Sequence, residues 1–357
     1  MIASEILAKG VERGIITAEQ AERLRALETA GEPPELPVSP DDEQLRFISG
    51  FSDVFVTIGL AMFLGAVGYF ALSSYGPFGM WTAVAVTAWL LAEFFTRLRR
   101  MALPSIVLLI VFAWAAFAAS AIFLGPGATY SSSQSAWALF ALGVIQPAML
   151  AGAAFLTVLL TALHYWRFRV PITIAAGCGA LLLMVIGLAS GLFPQSSRGA
   201  HSALILACGL AIFGLAMRFD MKDPERLTRR TDIAFWLHLL AAPLIVHSFI
   251  GGVLDLGSKL EPKPAVAVVA VFLALSFVAV LIDRRALLVS GLVYAGGAFW
   301  TLIRQAGLSD ITTPLTILTL GAFVLLLSAG WKPLRAGILK LAPPTLTRRL
   351  PQPTLSV

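Results

Sequence analysis

Apolar runs recur along this chain, broken by short polar bursts, and each run is about 20 residues long, enough to carry a helix across a hydrocarbon layer of about 30 Å. Reading for these runs predicts ten helical spans, near residues 52–73, 78–96, 103–124, 144–165, 171–193, 201–217, 233–254, 264–283, 286–303 and 312–331. The fourth has the least defined start, because "SAWALFALGVIQPAML" is apolar from Ser135 and Pro147 divides a short re-entrant piece, within residues 135–147, from the main helix. The expected fold is an all-α polytopic transmembrane bundle. It has three parts: a cytoplasmic acidic helical hairpin and Pro-rich linker over 1–38, the bundle over 39–332, and a basic amphipathic and disordered tail over 333–357.

The polar bursts carry the orientation. With the N-terminus inside, the inner segments hold 22 Lys and Arg and the outer ones only Arg198, Lys259, Lys263 and Arg304. Cytoplasmic loops are enriched in these cations, so both termini are expected on the cytoplasmic side. One missed helix would scramble the alternation, so the asymmetry also supports the span count.

Composition agrees with the pattern: 58% of the 357 residues are hydrophobic, 13% are charged, and the mean hydropathy is +0.85. The net charge of +6 hides a division, since residues 1–50 carry ten acids against five Lys and Arg. The positive remainder sits in short loops, where membrane orientation accounts for it without nucleic acid. The expected partners are the lipid bilayer and anionic lipids at the cytoplasmic face. Cys178 and Cys208 lie inside apolar runs and form no CxxC pair, which marks them as packing residues. The first fifteen residues carry acids and no apolar h-region, so no cleavable signal peptide is expected and the first span serves as the insertion signal.

Before the first span, Thr17 and Gln20 have the spacing of a capping box. Glu19 and Arg23 form an i,i+4 pair, and Ala21, Leu24 and Leu27 supply a narrow apolar stripe. A shorter helix carrying Ile6, Leu7 and Val11 pairs with it through Gly14, and Gly31 with Pro33–Pro34 ends the hairpin. Ser39–Pro40 followed by Asp41, Asp42 and Glu43 starts another helix, with Gly50 allowing a bend. At the far end "WKPLRAGILKLAPP" reads as a basic amphipathic segment on anionic lipid, and Trp81, Trp166 and Trp331 as interfacial anchors.

"GIITAEQAERLRALE", a linker, and "RFISGFSDVFVTIGLAMFLGAVGYF" together resemble the opening of the bacterial membrane protein family known as domain of unknown function twenty-one fifty-seven. The resemblance covers about the first 75 residues by pattern and the remainder by layout. It implies a bacterial inner-membrane protein with a short helical cytoplasmic head, and brings no chemistry to assign.

Candidate sites are the polar residues that enter apolar runs. Asp53 and Glu93 mark the cytoplasmic ends of the first two spans, where a tight hairpin through "SSYGPFG" brings them toward Arg97, Arg99 and Arg100 as an ion-pair cluster or a proton site. In the seventh span His238 and His247 flank Pro243, and their nine-residue spacing puts them on nearly opposite helix faces. They cannot share a metal from one unbroken helix. Each is a candidate for an interhelical hydrogen bond, proton relay or substrate contact, with His247 the deeper. Gln146, Tyr294 and Trp300 are candidate cavity-lining residues, and Gly187 with Gly191 forms a GxxxG pair suited to close helix crossing. No metal, nucleotide or triad motif is present, so no cofactor, no metal and no enzymatic activity are expected.

Three function classes follow. They are a small-molecule or lipid transporter, a structural or sensory membrane protein binding a protein partner through its head, and an intramembrane lipid-modifying enzyme. The predicted orientation is checked by single-cysteine labelling of intact cells: a cysteine placed in "GPGATYSSSQ" should react with an impermeant reagent, and protection of that segment would overturn the assignment.

Overall fold

The structure is a computed structural model that describes residues 7, 11–14, 16–22, 51–125, 146–223, 228–251, 262–308 and 311–341. The chain divides into two units, Met1–Gln44 with Pro353–Val357, and Leu45–Gln352.

In the first unit the capping box closes as its spacing requires. The Thr17 amide donates to Gln20 Oε1 at 2.9 Å, and the Gln20 amide donates to Thr17 Oγ1 at 3.2 Å. Gly14 precedes it at φ 67°, in the left-handed region that glycine enters without a Cβ clash. Arg23, Leu24, Leu27 and the expected start at Ser39 lie outside the described residues.

The second unit is helical throughout its described residues. Its helices are α1 (Phe51–Ala92, continued by a π-helical stretch Glu93–Leu98), α2 (Ala102–Leu124), α3 (Pro147–Phe168), α4 (Ile172–Leu192), α5 (Arg198–Asp220), α6 (Arg229–Gly251), α7 (Pro262–Ile282), α8 (Ala286–Gln305), α9 (Thr312–Ala329) and α10 (Trp331–Leu341). Seven helical stretches, α1 with its π extension, α2 to α6 and α9, are long and apolar enough to cross a membrane. The buried share of the most apolar window runs from half in α2 and α6 down to 11% in α9, where large side chains such as Leu325 and Leu326 face outward. Outward apolar faces suit hydrocarbon and not water. The molecule is a membrane-embedded helical bundle.

The first of these stretches has 48 residues, and as one straight helix would measure about 72 Å, more than twice a bilayer core. It turns back on itself instead. Gly76 sits at φ 68° and ψ −170°, a conformation essentially confined to glycine, and Pro77 opens the return arm. A Cβ on Gly68 would lie 3.4 Å from Val84, sixteen positions on, which only a reversal permits. The "SSYGPFG" hairpin is thus formed.

Each later boundary has a local cause. Pro147 occupies the first turn of α3, with Gln146 at its N-cap, so this proline begins a helix; residues 135–145 lie outside the described residues. Arg169 ends α3 in the left-handed conformation, φ 53°, and Pro171 leads into α4. Ser197 caps α5 by accepting from the Ala200 amide at 3.2 Å. Inside the helices, hydroxyls turn back onto their own backbone: Thr157 bonds the Ala153 carbonyl at 2.8 Å, and Ser276 the Phe272 carbonyl at 2.8 Å. A hydroxyl in hydrocarbon is satisfied there at no cost to a neighbouring helix.

Helices adjacent in sequence pack as neighbours, α1 on α2, α3 on α4, α5 on α6 and α7 on α8; α6 also touches α4, α7 and α8. Small residues allow the closest approaches. A Cβ on Gly187 would lie 2.7 Å from the Ala151 backbone nitrogen and 2.9 Å from the Pro147 carbonyl, so α4 crosses α3 backbone to backbone there. Trp331 and Arg335 of α10 are each 3% exposed, turned into the bundle, so Trp331 is a packing residue and not an interfacial anchor. The boundary expected at 332/333 falls inside this helix.

Gly187→Ala should destabilise the bundle by about 1–3 kcal/mol, as overpacking does. Gly59→Ala, where a Cβ meets nothing within 4 Å, should leave stability unchanged or raised. Thermal unfolding of the two variants in one detergent checks this, and equal midpoints would contradict the close crossing.

Candidate functional site

The end of α7 organises the charges buried in the bundle. The Arg284 amide bonds the Ala279 carbonyl at 2.8 Å and the Asp283 amide bonds the Val280 carbonyl at 3.3 Å, while Asp283 takes φ 57°. This is a Schellman turn with aspartate in the position glycine usually fills, one of the few side chains that tolerates it. The turn sends two neighbouring side chains to different helices.

Arg284 reaches α5. Its Nε donates to Asp220 Oδ2 at 3.1 Å and its Nη2 to Oδ1, a two-pronged pairing of guanidinium with carboxylate. His238 of α6 completes the group, with Nε2 2.8 Å from the same Asp220 Oδ2. An ionised carboxylate only accepts, so Nε2 carries the proton in this contact. The edge of the Phe213 ring closes the other side of the imidazole at a centroid distance of 5.3 Å. Arg284 is 1% exposed and His238 fully buried. Such charges persist in a dry interior only when they neutralise each other. Among the described residues the site joins a carboxylate, a permanent cation and an imidazole.

Asp283 reaches α10. Trp331 Nε1 donates to its Oδ1 at 2.7 Å, and Arg335 Nη1 lies 3.6 Å from its Oδ2. Arg285, next along, places its guanidinium over the Trp331 ring at 5.2 Å. Three consecutive residues thus tie α5, α6, α7 and α10 together. Behind α5, Asp223 Oδ2 accepts from the Thr228 amide and hydroxyl at 2.9 and 2.6 Å and from the Thr231 hydroxyl at 2.9 Å, which fixes the start of α6.

A second ion group lies where the π-helical stretch meets α3. Arg167 grips Glu93 with Nε at 2.8 Å and Nη2 at 2.9 Å, and Arg97 approaches it at 3.4 Å. These side chains are about one-third or more exposed. A third polar group, His164, is 1% exposed and enclosed by the rings of Trp89, Phe112 and Phe168 at 5.6, 5.4 and 4.6 Å. Its Nδ1 lies 3.4 Å from Thr173 Oγ1 on α4.

The candidates read from sequence are distributed as follows. Asp53 is buried at the start of α1, with the Thr57 hydroxyl on its backbone carbonyl at 2.7 Å. Glu93 takes its two-pronged partner from α3, 74 positions on, beyond the first hairpin. His238 joins the buried cluster; His247 is half-buried about 13 Å further along α6. Gln146 and Trp300 are exposed, Trp300 beneath the Arg304 guanidinium at 5.1 Å, and neither lines the clefts beside Arg167, Trp331 or His201. The Tyr294 side chain lies outside the described residues. Among the described residues no three His, Cys, Asp or Glu gather in a way that could hold a metal.

Asp220, Asp283, Arg284, Arg167 and His164 escape a reading of the sequence. In "RFDMKDPER" and "IDRRALL" the charges register as loop charges, and Arg284 is one cation among many that orient the chain. The one available signal is that both aspartates abut the last apolar residue of a span. No family model matches the chain, and neither a curated protein nor a solved structure matches it.

Arg284→Met strands the Asp220 carboxylate in the interior and should cost about 3–5 kcal/mol of stability. Combining it with Asp220→Leu should recover most of that loss. Lys332→Met, an exposed control, should change little. Unfolding of the four proteins in detergent decides it; similar losses for Arg284→Met and Lys332→Met would remove the buried pair as the cause.

Proposed function

We propose that the chain is a multi-pass bacterial inner-membrane transporter of small molecules or lipids, crossing the bilayer ten times with both termini in the cytoplasm. Support for ten crossings comes from the reversal at Gly76, which makes two arms of α1, and from α7 and α8, each about as long as a crossing. Support for the orientation comes from the helix ends near residues 97–102, 167–172, 218–230 and 284–285, which hold the cation-rich bursts.

The observation that carries transport is the Asp220–His238–Arg284 cluster. An ionisable group buried in a membrane bundle is a functional candidate by default. This one joins the end of α5 to the α7–α8 turn, and separating those elements requires breaking an ion pair. Adding a proton to Asp220 removes the carboxylate that holds both Arg284 and His238, which weakens the cluster, and the imidazole of His238 beside it is a group that can pass that proton on. A cluster of that kind acts as a proton-responsive gate at the inner end of the bundle.

A second reading, in which the head binds a protein partner, draws on the separate N-terminal unit with its capped helix.

Proteoliposomes with an imposed proton gradient, challenged with a panel of labelled organic anions, cations and phospholipids, should move at least one class. His238→Asn should reduce that flux about a hundredfold or more, the lower end of what a positioned proton-transfer group contributes, while the protein still elutes as a single species. Flux untouched by His238→Asn removes the gate. Absence of flux for every class, with the head still capturing a partner, favours the second reading.

A further inference from the structure

A different cleft, of about 500 Å³, opens at the end of the bundle that carries the cations. Five guanidinium groups line it: Arg97 and Arg100 after α1, Arg167 and Arg169 at the end of α3, and Arg229 at the start of α6. Among the described residues that line it the one carboxylate is Asp232, and Glu93 is already bound by Arg97 and Arg167, so the described lining carries an excess of positive charge. Arg100 and Arg169 take no carboxylate partner among the described residues. Like charges gathered around one cleft repel, and an anion placed between them relieves that repulsion.

The backbone adds to the same field. The first turns of α2, α4 and α6 all contribute to the wall, through Ala102 and Ser105, Ile172, and Arg229 and Asp232. Each helix start carries roughly half a positive charge, and three of them point the cleft toward an anion. The floor is different in kind. Ile106, Phe168, Val170, Ile172 and Trp236 line the cleft and belong to one apolar cluster around Leu109. A basic rim above an apolar floor fits an amphiphile whose head is anionic.

We infer that this cleft is a binding site for a phosphate-bearing group, with Arg100 and Arg169 its main ligands and the Ile106–Trp236 floor holding an attached apolar chain. Arginine forks match phosphate oxygens two at a time, and Arg100 and Arg169, exposed and, like Arg229, without a carboxylate partner among the described residues, flank the apolar floor through Phe168 and Val170 on one side and Met101 on the other. The site uses none of the Asp220 cluster, and it stands whether or not the chain transports.

The test separates a built site from the general attraction of a basic surface for anionic lipid. The full chain, purified in a neutral detergent, is titrated with dioleoyl phosphatidic acid, dioleoyl phosphatidylcholine and inorganic phosphate, and complexes are counted by native mass spectrometry. The charge-loss pair Arg100→Gln with Arg169→Gln is compared with Arg99→Gln with Arg230→Gln, which removes the same charge nearby from residues that do not line the cleft. Phosphatidic acid should bind in preference to phosphatidylcholine, and the first pair should weaken it about tenfold or more, the scale of lost charge-assisted contacts, against less than about twofold for the second. If inorganic phosphate binds with the same dependence on Arg100 and Arg169 and displaces the lipid, the phosphate chemistry stands and the source is a soluble phosphate; if it does not compete, the source is a lipid head. Equal weakening by both pairs, or equal binding of phosphatidylcholine, overturns the site. Thermal unfolding of both pairs confirms that the fold is retained.

Discussion

Hydrocarbon solvates no charge, so each ion that enters a membrane bundle must bring its counter-ion with it. In this protein the constraint bears hardest on Arg284. Its guanidinium is almost fully buried, and the two-pronged pairing with the Asp220 carboxylate, itself shared with His238, makes that position tolerable. The pairing joins the end of α5 to the turn after α7, and α6 is drawn in by its imidazole. Because the partners come from elements 64 positions apart, the bond cannot form until the helices have met, and once formed it fixes their register.

The Schellman turn at Asp283 makes one such bond into several. A helix ending in the usual glycine would supply no side chain there, whereas aspartate in the same conformation holds Trp331 and Arg335 of α10. The basic amphipathic segment after the last long helix is therefore docked through two buried side chains, with Lys332 and Lys340 left outside. Left-handed non-glycine residues also occur at Arg100 and Arg169, both of which line the arginine-rich cleft. The same end of the bundle thus carries a neutralised ion cluster in its interior and an excess of positive charge on its rim. The first is suited to respond to a proton, the second to hold an anion.

How much of this was legible in the sequence varies with the range of the interaction. The membrane-embedded helical class follows from run length and composition, and the hairpin at Gly76–Pro77 and the capping box at Thr17–Gln20 follow from local chemistry a few residues wide. Gly187 announces a close crossing, although not that its neighbour is the Ala151 backbone. His238 is visible as a polar intruder in an apolar run. Its partners are not, because Asp220 and Arg284 sit at span ends where charges serve orientation, and a one-dimensional reading gives every such charge the same meaning.

The sequence by itself determined the solvent of this protein, the places where its helices begin and turn, and the end on which its cations gather, because hydropathy, glycine and proline act within a turn or a span. Only the tertiary structure decided which of those cations are buried and paired, that Glu93 belongs to Arg167, and that five arginines from three separate segments surround one cleft. Coulomb interactions in a dry interior depend on distance through space, and distance through space is set by helix packing that no local pattern contains.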